Sequence, residues 1–415
     1  MTGVAGATWA GTHVFAAPAL VEARDVDDVR RAVRAGGRVK ALGTRHSFSD
    51  LADSDGTLVT VTGIPADPVL DVERGEVTVG AGTRYGVLAT WLEERGFALH
   101  NLGSLPHISI GGATATGTHG SGDRNGGLAT AVRALEYVDA RGDLVTVRRG
   151  DPDFPALAVG LGAFGVVVRV TLAVEPSYDV RQDVYSGLTW DVFLADSEAV
   201  TGSAYSVSVF TTWEGDLVGD VWRKSRAGEP EPPAEWLGAR RRTDTASLVG
   251  STENLTEQRG MPGPWLARLP HFRLDATPSN GDEIQSEYFV ARADAAPALT
   301  AVRALAADVA PHLLVSELRT ASADDLWLSG AYERDTLAIH FTWRNRPAAV
   351  RALLPRIEAA LAPFAPRPHW GKWHTLDAEA LRAAVPRLDD ARAVFERLDP
   401  DGRFANAHLR RVGVR

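Results

Sequence analysis

The chain has 415 residues, 45% of them hydrophobic, which is enough apolar material for more than one core, so we expect two domains. Its 53 acidic and 44 basic side chains give a net charge of −9. The arginines are spread along the chain, which argues against a nucleic-acid partner. The absence of cysteine excludes disulfides, thiolate nucleophiles and cysteine-ligated metal centres. Redox chemistry would therefore need a bound organic cofactor, and we expect no metal.

The N-terminal segment does not resemble a secretory signal. Trp9, Thr12 and His13 interrupt the apolar run that such a signal needs, and no basic segment precedes it. No stretch of the sequence approaches the roughly 18 apolar residues of a membrane span. We therefore expect a cytoplasmic, monomeric protein with no membrane partner.

Short helices and strands alternate over the first 175 residues. Asp25 opens a helix that places Val29 and Val33 on one stripe and ends at Gly36. Further elements are predicted as strands at 38–42, 58–62, 76–80 and 165–174, a helix at 84–95, and a hairpin at 132–148 closed by Arg141, Gly142 and Asp143. We expect the first domain to end near residue 175.

The rest of the chain predicts an antiparallel sheet with helices on one face, because pairs of strands there are followed by helices. The predicted elements are strands at 205–213, 219–224, 316–320 and 337–343, helices at 295–309, 348–362 and 376–397, a Pro- and Gly-rich linker at 227–233, an irregular segment at 261–281 and a polar tail at 398–412.

Two glycine-containing segments suggest a bound ligand. Residues 41–50 (ALGTRHSFSD) follow a strand, where successive amides can form an anion-binding nest, although an ordinary polar turn has the same composition. Residues 103–122 contain six glycines and no side chain larger than threonine between 111 and 118. Close backbone approach to a pyrophosphate would explain this composition, and a flexible linker is the alternative. Neither segment has the Rossmann or the Walker spacing.

Two strands each direct two polar side chains towards one face. Alternation places Glu317 and Arg319 together in SELRT, and His340 and Thr342 together in LAIHFTW. A solvated sheet face would give the same pattern. The large apolar residues around His340 favour a lined pocket instead.

Four motifs together indicate a family. They are Arg45-His46-Ser47, the stretch 104–107 (SLPH) that runs into Gly-Gly-x-x-x-x-Gly-Thr-His-Gly at 111–120, the segment 161–167 (LGAFGVV), and His369-Trp370-Gly371-Lys372. In this order and spacing they resemble the vanillyl-alcohol oxidase family of flavoproteins, and within it the alditol oxidases. The resemblance runs nearly from end to end of the chain.

This resemblance implies a two-domain α+β fold in which a cap domain covers the flavin. The expected parts are a PCMH-type FAD-binding domain at 1–175, a substrate (cap) domain at 176–365 and a segment at 366–415 that returns to the FAD domain. His46 is expected to bind FAD covalently through an imidazole nitrogen, and a hydrogen-bonded loop histidine is the alternative. The other residues expected to contact FAD are Leu42, Gly43, Thr44, Arg45, Ser47, Ser104, Ser109, Gly112, Thr116, Gly117, Thr118, His119, Val167 and His369.

The same resemblance assigns the substrate face. The residues that match substrate contacts are Ser104, Glu317, Arg319, His340, Thr342 and Lys372, and Glu317, Arg319, His340 and Lys372 are the expected catalytic groups. Lys372 is expected near the flavin N1/C2 edge, where it would stabilise negative charge; an exposed loop lysine is the alternative. Gly103 precedes the matching serine and, having no side chain, is expected to let dioxygen reach the flavin.

The activity implied is oxidation of the terminal primary hydroxyl of an alditol such as xylitol, sorbitol or glycerol to the aldose. The alcohol would lose its hydroxyl proton and pass a hydride to flavin N5, and dioxygen would leave as hydrogen peroxide. The proton acceptor stays open between His340 and water, because Arg319 and Lys372 are poor bases at ordinary pKa. The alternatives are a sugar-1,4-lactone oxidase or dehydrogenase of the same family and a flavin-free carbohydrate-binding protein. The intact polar set favours open-chain polyols, and His46 argues against a flavin-free protein.

Overall fold

The computed structural model describes residues 2–3, 5–276 and 282–415. The first strands are β1 (Thr2–Gly3), β2 (Ala19–Glu22), β3 (Val39–Leu42), β4 (Thr57–Thr60), β5 (Val69–Asp71), β6 (Glu76–Gly80), β7 (Phe97–Ala98), β8 (Val132–Val138), β9 (Leu144–Arg148), β10 (Val166–Ala173) and β11 (Glu175–Pro176). Strands β2, β4 and β3 are parallel, with β1 antiparallel beside β2. A second, antiparallel sheet has the order β5-β6-β10-β8-β9, and β7 pairs with β11.

The remaining strands form one large sheet. They are β12 (Asp179–Thr189), β13 (Ser206–Thr211), β14 (Leu217–Arg226), β15 (Glu235–Trp236), β16 (Ala239–Arg241), β17 (Gly263–Pro264), β18 (Glu283–Ala291), β19 (Leu313–Ala321), β20 (Thr336–Arg344) and β21 (Arg367–Pro368). The order is β15-β16-β12-β14-β13-β19-β20-β18-β21, with β17 beside β12. The strands pair antiparallel, as the sequence predicts.

Helices fill the space around these sheets. They are α1 (Val26–Arg34), α2 (Tyr85–Glu93), α3 (Ile110–Ala115), α4 (Phe154–Leu157), α5 (Trp190–Ala195), α6 (Ser197–Thr201), α7 (Ala295–Arg303), α8 (Ala306–Val309), α9 (Pro347–Leu361), α10 (Ala378–Ala384), α11 (Leu388–Leu398) and α12 (Ala407–Arg411). Helix α1 begins as predicted, because the side chain of Asp25 accepts a hydrogen bond from the backbone N–H of Asp28 at 2.8 Å. Gly36 follows its last turn with φ +89°.

One face of the large sheet, called its dry face below, packs against helices, and the other face lines a cavity. Helices α5, α7 and α9 pack on the dry face, where Trp190, Leu299 and Ile357 share a core with Leu318 and Phe341 of the sheet. This arrangement confirms the predicted two-domain α+β architecture, with an antiparallel sheet covered by helices.

Several predicted elements need correction. The helix predicted at 376–397 is two helices, because Pro386 lacks an N–H donor and holds Val385 in extended backbone. The helix predicted at 295–309 is likewise divided into α7 and α8. The tail at 398–412 contains α12, whose first turn is capped by the side chain of Asn406. Strands β12 and β18 were not predicted, and part of the irregular segment, 277–281, lies outside the described residues.

The C-terminal helices pack away from the large sheet. Leu381, Phe395 and Leu409 belong to the same apolar core as Val29 and Val170 of the N-terminal part. The chain end therefore returns to the first sheets, although the predicted domain bounds stay a prediction. In the described part of the chain, no helix is both long and apolar enough to cross a membrane.

Candidate active site

A cavity of about 790 Å³ lies between the N-terminal sheets and the face of the large sheet opposite its helices, within the size range of sites for drug-sized ligands and cofactors. Almost every residue that the sequence analysis expects to contact FAD lines this cavity. Those on its wall are Leu42, Gly43, Thr44, Arg45, His46, Ser47, Ser104, Ser109, Gly112, Thr116, Thr118, His119, Val167 and His369. Gly117 is predicted with them but does not line the cavity.

The loop after β3 packs against the start of α3 with no room for side chains. A Cβ on Gly43 would lie 2.5 Å from Oγ of Ser109, and one on Gly112 would lie 2.9 Å from the same atom. The backbone N–H of Ser109 donates to Oγ1 of Thr44 at 3.1 Å. Arg45 turns the loop with φ +66°, a conformation that costs energy for a non-glycine residue. Two backbone segments thus form a close-fitting wall, as an extended phosphate-bearing ligand requires.

His46 has the properties of a neutral, unengaged imidazole. Its Nδ1 is buried and has no hydrogen-bond partner among the described residues. Burial, with smaller effects of His107 and Arg84, lowers the pKa of His46 to about 4, so the ring is uncharged at neutral pH. The indole of Trp9 stacks on the imidazole, with ring centroids 5.3 Å apart. A neutral imidazole with a free nitrogen beside a narrow glycine-lined wall fits FAD.

The predicted substrate residues converge at the sheet end of this cavity. Glu317 of β19 lies directly opposite His340 of β20 in the antiparallel register, and Arg319 and Thr342 face the same way. All four side chains are buried and line the cavity. Ser104 reaches them from the glycine-rich segment, where its Oγ lies 3.3 Å from Nη1 of Arg319. The alternative of a solvated sheet face is wrong.

Glu287 of β18 is the centre of the polar cluster, and the sequence analysis missed it. The residue is 1% exposed. Its Oε1 lies 3.0 Å from Nη2 of Arg319 and 3.1 Å from Nε2 of His119, and its Oε2 lies 2.5 Å from Nζ of Lys372. The same Oε2 is 3.7 Å from Nδ1 of His340. One carboxylate therefore orients groups from four separate segments and balances the charge of the two cations among them. In the sequence Glu287 stands between the polar stretch 283–286 (EIQS) and the apolar run 288–291 (YFVA), and no local pattern distinguishes it.

The charges of this cluster are set by burial and by one another. Burial would raise the pKa of Glu287, but Lys372, followed by His119 and Arg319, brings it well below its ordinary value. Burial lowers the pKa of Lys372, and Glu287 opposes this shift. Burial also lowers the pKa of His340 to about 4, with Lys372 acting in the same direction. The site thus holds an ionised carboxylate, buried cations and a neutral histidine.

A fixed chain of hydrogen bonds connects Lys372 to the cavity. Nζ of Lys372 lies 2.8 Å from Nδ1 of His340, and Nε2 of His340 lies 2.9 Å from Oγ1 of Thr342. Because an ammonium can only donate, Nδ1 accepts and the proton of the neutral ring is on Nε2. The hydroxyl of Thr342 then accepts from Nε2 and keeps its own proton for a ligand. The structure thus contradicts the exposed-lysine alternative for Lys372, which is largely buried.

No group of three or more potential metal ligands occurs in the described part of the chain. The cluster around Glu287 instead combines two carboxylates, Glu287 and Glu317, with two cations, Arg319 and Lys372, a composition suited to hydrogen bonding with a polar organic ligand.

Two family models match the sequence. Residues 17–148 match the model described as FAD binding domain, and residues 278–412 match the model described as D-arabinono-1,4-lactone oxidase. The second region includes β18, β19 and β20, the strands that carry the polar cluster.

Curated relatives match nearly the full length of the chain. It is 43% identical over 409 residues to alditol oxidase of Streptomyces sp. (strain IKD472 / FERM P-14339), covering 97% of each chain. It is 33% identical over 432 residues to L-gulono-1,4-lactone dehydrogenase of Mycobacterium tuberculosis (strain ATCC 25618 / H37Rv), covering 97% of this chain and 98% of the relative.

A solved structure has the same fold at low sequence identity. Cholesterol oxidase from B. sterolicum superposes with a TM-score of 0.81 at 15% identity, covering 99% of this chain and 97% of that one. This likeness concerns the fold alone.

Proposed function

This chain belongs to the vanillyl-alcohol oxidase family of FAD-dependent oxidoreductases, in its alditol oxidase group, and we propose that it oxidises the terminal primary hydroxyl of an open-chain polyol. FAD is its cofactor. When bound, FAD supplies the hydride acceptor and passes the electrons to dioxygen, which leaves as hydrogen peroxide. The observation that carries the proposal is the polar cluster around Glu287 at the sheet end of the cavity, whose cavity-lining members are Ser104, Glu317, Arg319, His340, Thr342 and Lys372.

His46 is the residue that we propose to bind FAD covalently. Its unpartnered Nδ1 is the nitrogen available for a bond to the 8α-methyl group. The glycine-bounded wall formed by Gly43 and Gly112 would hold the phosphates, since neither residue has a side chain that would keep the ligand away from the backbone amides. His369 also lines the cavity. Its ring is neutral, because burial and Lys372 bring its pKa well below the ordinary value.

The polar cluster suits a row of hydroxyl groups. Arg319 and Lys372 only donate hydrogen bonds, and ionised Glu317 only accepts them. Thr342 and Ser104 do both. Each hydroxyl of a polyol also donates and accepts, so a polyol can satisfy all of these groups at once. A substrate without the hydroxyls would leave buried polar atoms unpaired, which is how such a site rejects it.

His340 acts, in this proposal, by orienting Thr342. The Nδ1 that would take a proton already accepts from Lys372, and the pKa of His340 is about 4, which makes the ring a weak base. Water is then the proton acceptor. The test is the rate of flavin reduction in His340→Ala, measured by stopped flow across pH. A loss below about 10-fold supports an orienting role, whereas a loss of about 100-fold or more with a changed pH profile would identify His340 as the base.

The first experiment is an absorbance spectrum of the purified protein before and after acid denaturation, with in-gel fluorescence of the denatured chain. Flavin that stays with the chain supports the His46 bond, and flavin found in the supernatant contradicts that bond alone. A protein free of flavin would contradict the whole proposal. His46→Ala is the matched control, since it should release any flavin that it binds.

A sugar-1,4-lactone oxidase or dehydrogenase is the second candidate. It is favoured by the lactone oxidase model at residues 278–412 and by the likeness to L-gulono-1,4-lactone dehydrogenase. Peroxide release is measured with xylitol, sorbitol and glycerol beside L-gulono-1,4-lactone and D-arabinono-1,4-lactone. We expect a higher kcat/KM for the polyols, and the reverse order would select the second candidate.

A further inference from the structure

A chain of two more buried groups continues from Glu317, with His271 at the cavity wall and Lys224 farther from the cavity. Nε2 of His271 is 2.6 Å from Oε1 of Glu317, and Nζ of Lys224 on β14 is 3.1 Å from Nδ1 of His271. His271 is 4% exposed and Lys224 is 1% exposed. Lysine is almost never buried to this degree without a specific set of partners. The two residues come from segments 47 positions apart in sequence.

The partners of Lys224 fix the direction of every hydrogen bond in this chain. Its Nζ also donates to the carbonyl oxygens of Leu269 at 2.5 Å and Pro270 at 3.4 Å. Three acceptors, including Nδ1 of His271, thus match the three protons of an ammonium group. With Nδ1 accepting, the proton of neutral His271 is on Nε2. That N–H points at Oε1 of Glu317, which accepts it, and the guanidinium of Arg319 lies beside Oε2, so both neighbours favour the ionised carboxylate.

Electrostatics agree with this assignment. Burial, with Lys224 acting in the same direction, lowers the pKa of His271 to about 4, so the ring is neutral. Burial raises the pKa of Glu317, but Arg319 and His271 bring it well below the ordinary value. Burial lowers the pKa of Lys224 to about 7. If Lys224 lost that proton, the direction of the hydrogen bonds would not reverse. The neutral amine keeps N–H donors, and the Glu317 carboxylate repels a lone pair on Nε2 of His271.

The ring of His271 is also held in place mechanically. Trp222 and Phe210 contact it edge-on, with centroid distances of 5.2 Å and 5.6 Å. The backbone N–H groups of His271 and Phe272 both donate to the carbonyl oxygen of Ser104 at 3.2 Å. The same short segment therefore supports Glu317 and Ser104, two of the proposed substrate contacts.

We propose that Lys224 and His271 are positioning residues that lock Glu317 as an ionised, acceptor-only carboxylate, and that the site therefore requires a donating hydroxyl of the substrate at this position. A carbonyl or ether oxygen there would meet a second acceptor. The inference rests on the proposed function and deepens it, because it defines the substrate class at one point of the polar cluster. The free oxygen, Oε2, lies 3.6 Å from Nε of Arg319, so Arg319 flanks the oxygen that the hydroxyl would meet.

The first test compares two substitutions at His271. The amide of His271→Gln can donate to Glu317 and accept from Lys224, whereas His271→Leu can do neither. We expect His271→Leu to raise KM for xylitol about 10- to 100-fold with kcat changed less than about threefold, and His271→Gln to restore most of the loss. Equal effects of the two variants would overturn the proposal.

A control separates positioning from general support of the segment. The hydroxyl of Thr256 donates to the backbone carbonyl oxygens of Pro270 at 2.7 Å and His271 at 3.4 Å, and not to Glu317, Lys224 or the imidazole of His271. Thr256→Val should therefore leave KM for xylitol unchanged, while Lys224→Met should raise it. A rise of KM of similar size in both variants would mean that substrate binding depends on packing of the segment as a whole and not on the hydrogen bond from Lys224. That result would overturn the proposal.

Nitrogen-15 NMR of histidine-labelled holoenzyme reports directly which ring nitrogen of His271 is protonated. The His271 signals are identified by their absence from the spectrum of His271→Gln. We expect a neutral ring protonated on Nε2 throughout pH 6 to 8. A ring protonated on Nδ1, or an imidazolium, would overturn the proposal even where His271→Leu fails to fold.

Glu317→Gln distinguishes this inference from the function on which it rests. An unchanged KM for xylitol in Glu317→Gln would contradict the proposed substrate site itself. A large rise of KM in Glu317→Gln together with no rise in His271→Leu would support the proposed substrate site. It would contradict the supporting role of His271 and Lys224. In wild-type enzyme, replacing one substrate hydroxyl at a time by hydrogen or by a methyl ether should reveal one position at which both changes are equally harmful.

Discussion

The indole of Trp9 lies over the imidazole of His46, with ring centroids 5.3 Å apart and ring planes inclined by 23°. The backbone N–H of Trp9 donates to the carbonyl oxygen of Arg45 at 2.8 Å, so the N-terminal segment is tied to the loop that carries His46. Stacking of this kind stabilises an aromatic pair by about 0.5–1.5 kcal/mol. Trp9 thus restricts the plane in which His46 can meet a flavin.

This contact predicts slower covalent attachment in Trp9→Ala. Because the imidazole would lose its stacking partner, we expect the rate of covalent FAD incorporation into apoprotein to fall about 2- to 10-fold. In-gel flavin fluorescence over time measures it. Trp9→Phe keeps an aromatic face and should lose less. Identical rates in all three proteins would show that the stacking has no part in attachment.

Gly103 can accept a small side chain without strain. A Cβ there would lie 3.7 Å from Cδ1 of Ile108, 3.7 Å from Cγ2 of Thr118 and 3.8 Å from the carbonyl oxygen of His119, which are ordinary contacts. Gly103 lines the cavity, and because we expect dioxygen to pass beside it, Gly103→Val should slow flavin reoxidation at least about 10-fold, while Gly103→Ala should have a smaller effect. Stopped-flow mixing with oxygenated buffer measures reoxidation, and the rate of anaerobic reduction by xylitol serves as the control.

Removing the charge of Glu287 should damage both stability and binding. Glu287→Gln would leave Lys372 and Arg319 without their shared counter-charge in a buried site, and breaking such a pair typically costs about 3–5 kcal/mol. We expect the free energy of unfolding to fall by about that amount and KM for xylitol to rise at least about 10-fold. Urea denaturation and steady-state kinetics measure the two effects.

Glu358 offers a matched control on the other face of the sheet. It is also buried, but it accepts hydrogen bonds from the hydroxyl of Tyr288 and from Thr375 rather than from cations. Glu358→Gln should reduce stability without changing KM. A change of KM in both variants would mean that any loss of stability disturbs the site, and the specific role of Glu287 would then be rejected.

Local patterns predicted the parts of the site that lie on regular strands. Alternation alone placed Glu317 with Arg319 and His340 with Thr342, because in a strand the direction of a side chain depends only on its position. The glycine-rich segment was predicted as a ligand wall for a similar reason, since its composition suits neither a helix nor a strand. The resemblance to known flavoproteins then supplied the roles of these residues.

The groups that support the site were not predictable in this way. His271 lies in a proline-rich stretch without periodicity, and Lys224 looks like a solvated strand residue until β13 and β12 are seen on both sides of it. The role of Glu287 becomes visible only when β18 pairs with β20, because this pairing places Glu287 opposite His340, which lies 53 positions later in the sequence. Burial and pairing of distant segments are tertiary properties, and the sequence contains no local signal for them.

Acid should destabilise the protein through its buried neutral histidines. Burial is the main cause that lowers the pKa of His271 and His340 to about 4 and that of His374 to about 3, against about 6.5 in an unfolded chain. Between these values the unfolded chain binds protons that the folded chain does not. Stability therefore falls as pH falls from about 6.5 towards 4, by up to about 1.4 kcal/mol per pH unit for each histidine.

His374 provides the clean test because it does not line the cavity and its ring nitrogens are buried without partners among the described residues. The free energy of unfolding is measured by urea denaturation at intervals from pH 6.5 to 5, together with the proton uptake on unfolding. His374→Gln should lower that uptake by about half a proton at pH 6.5 and by close to one proton at pH 5, because glutamine does not titrate, while leaving KM for xylitol unchanged. An uptake equal to that of the wild-type chain would mean that His374 is protonated in the folded protein as well.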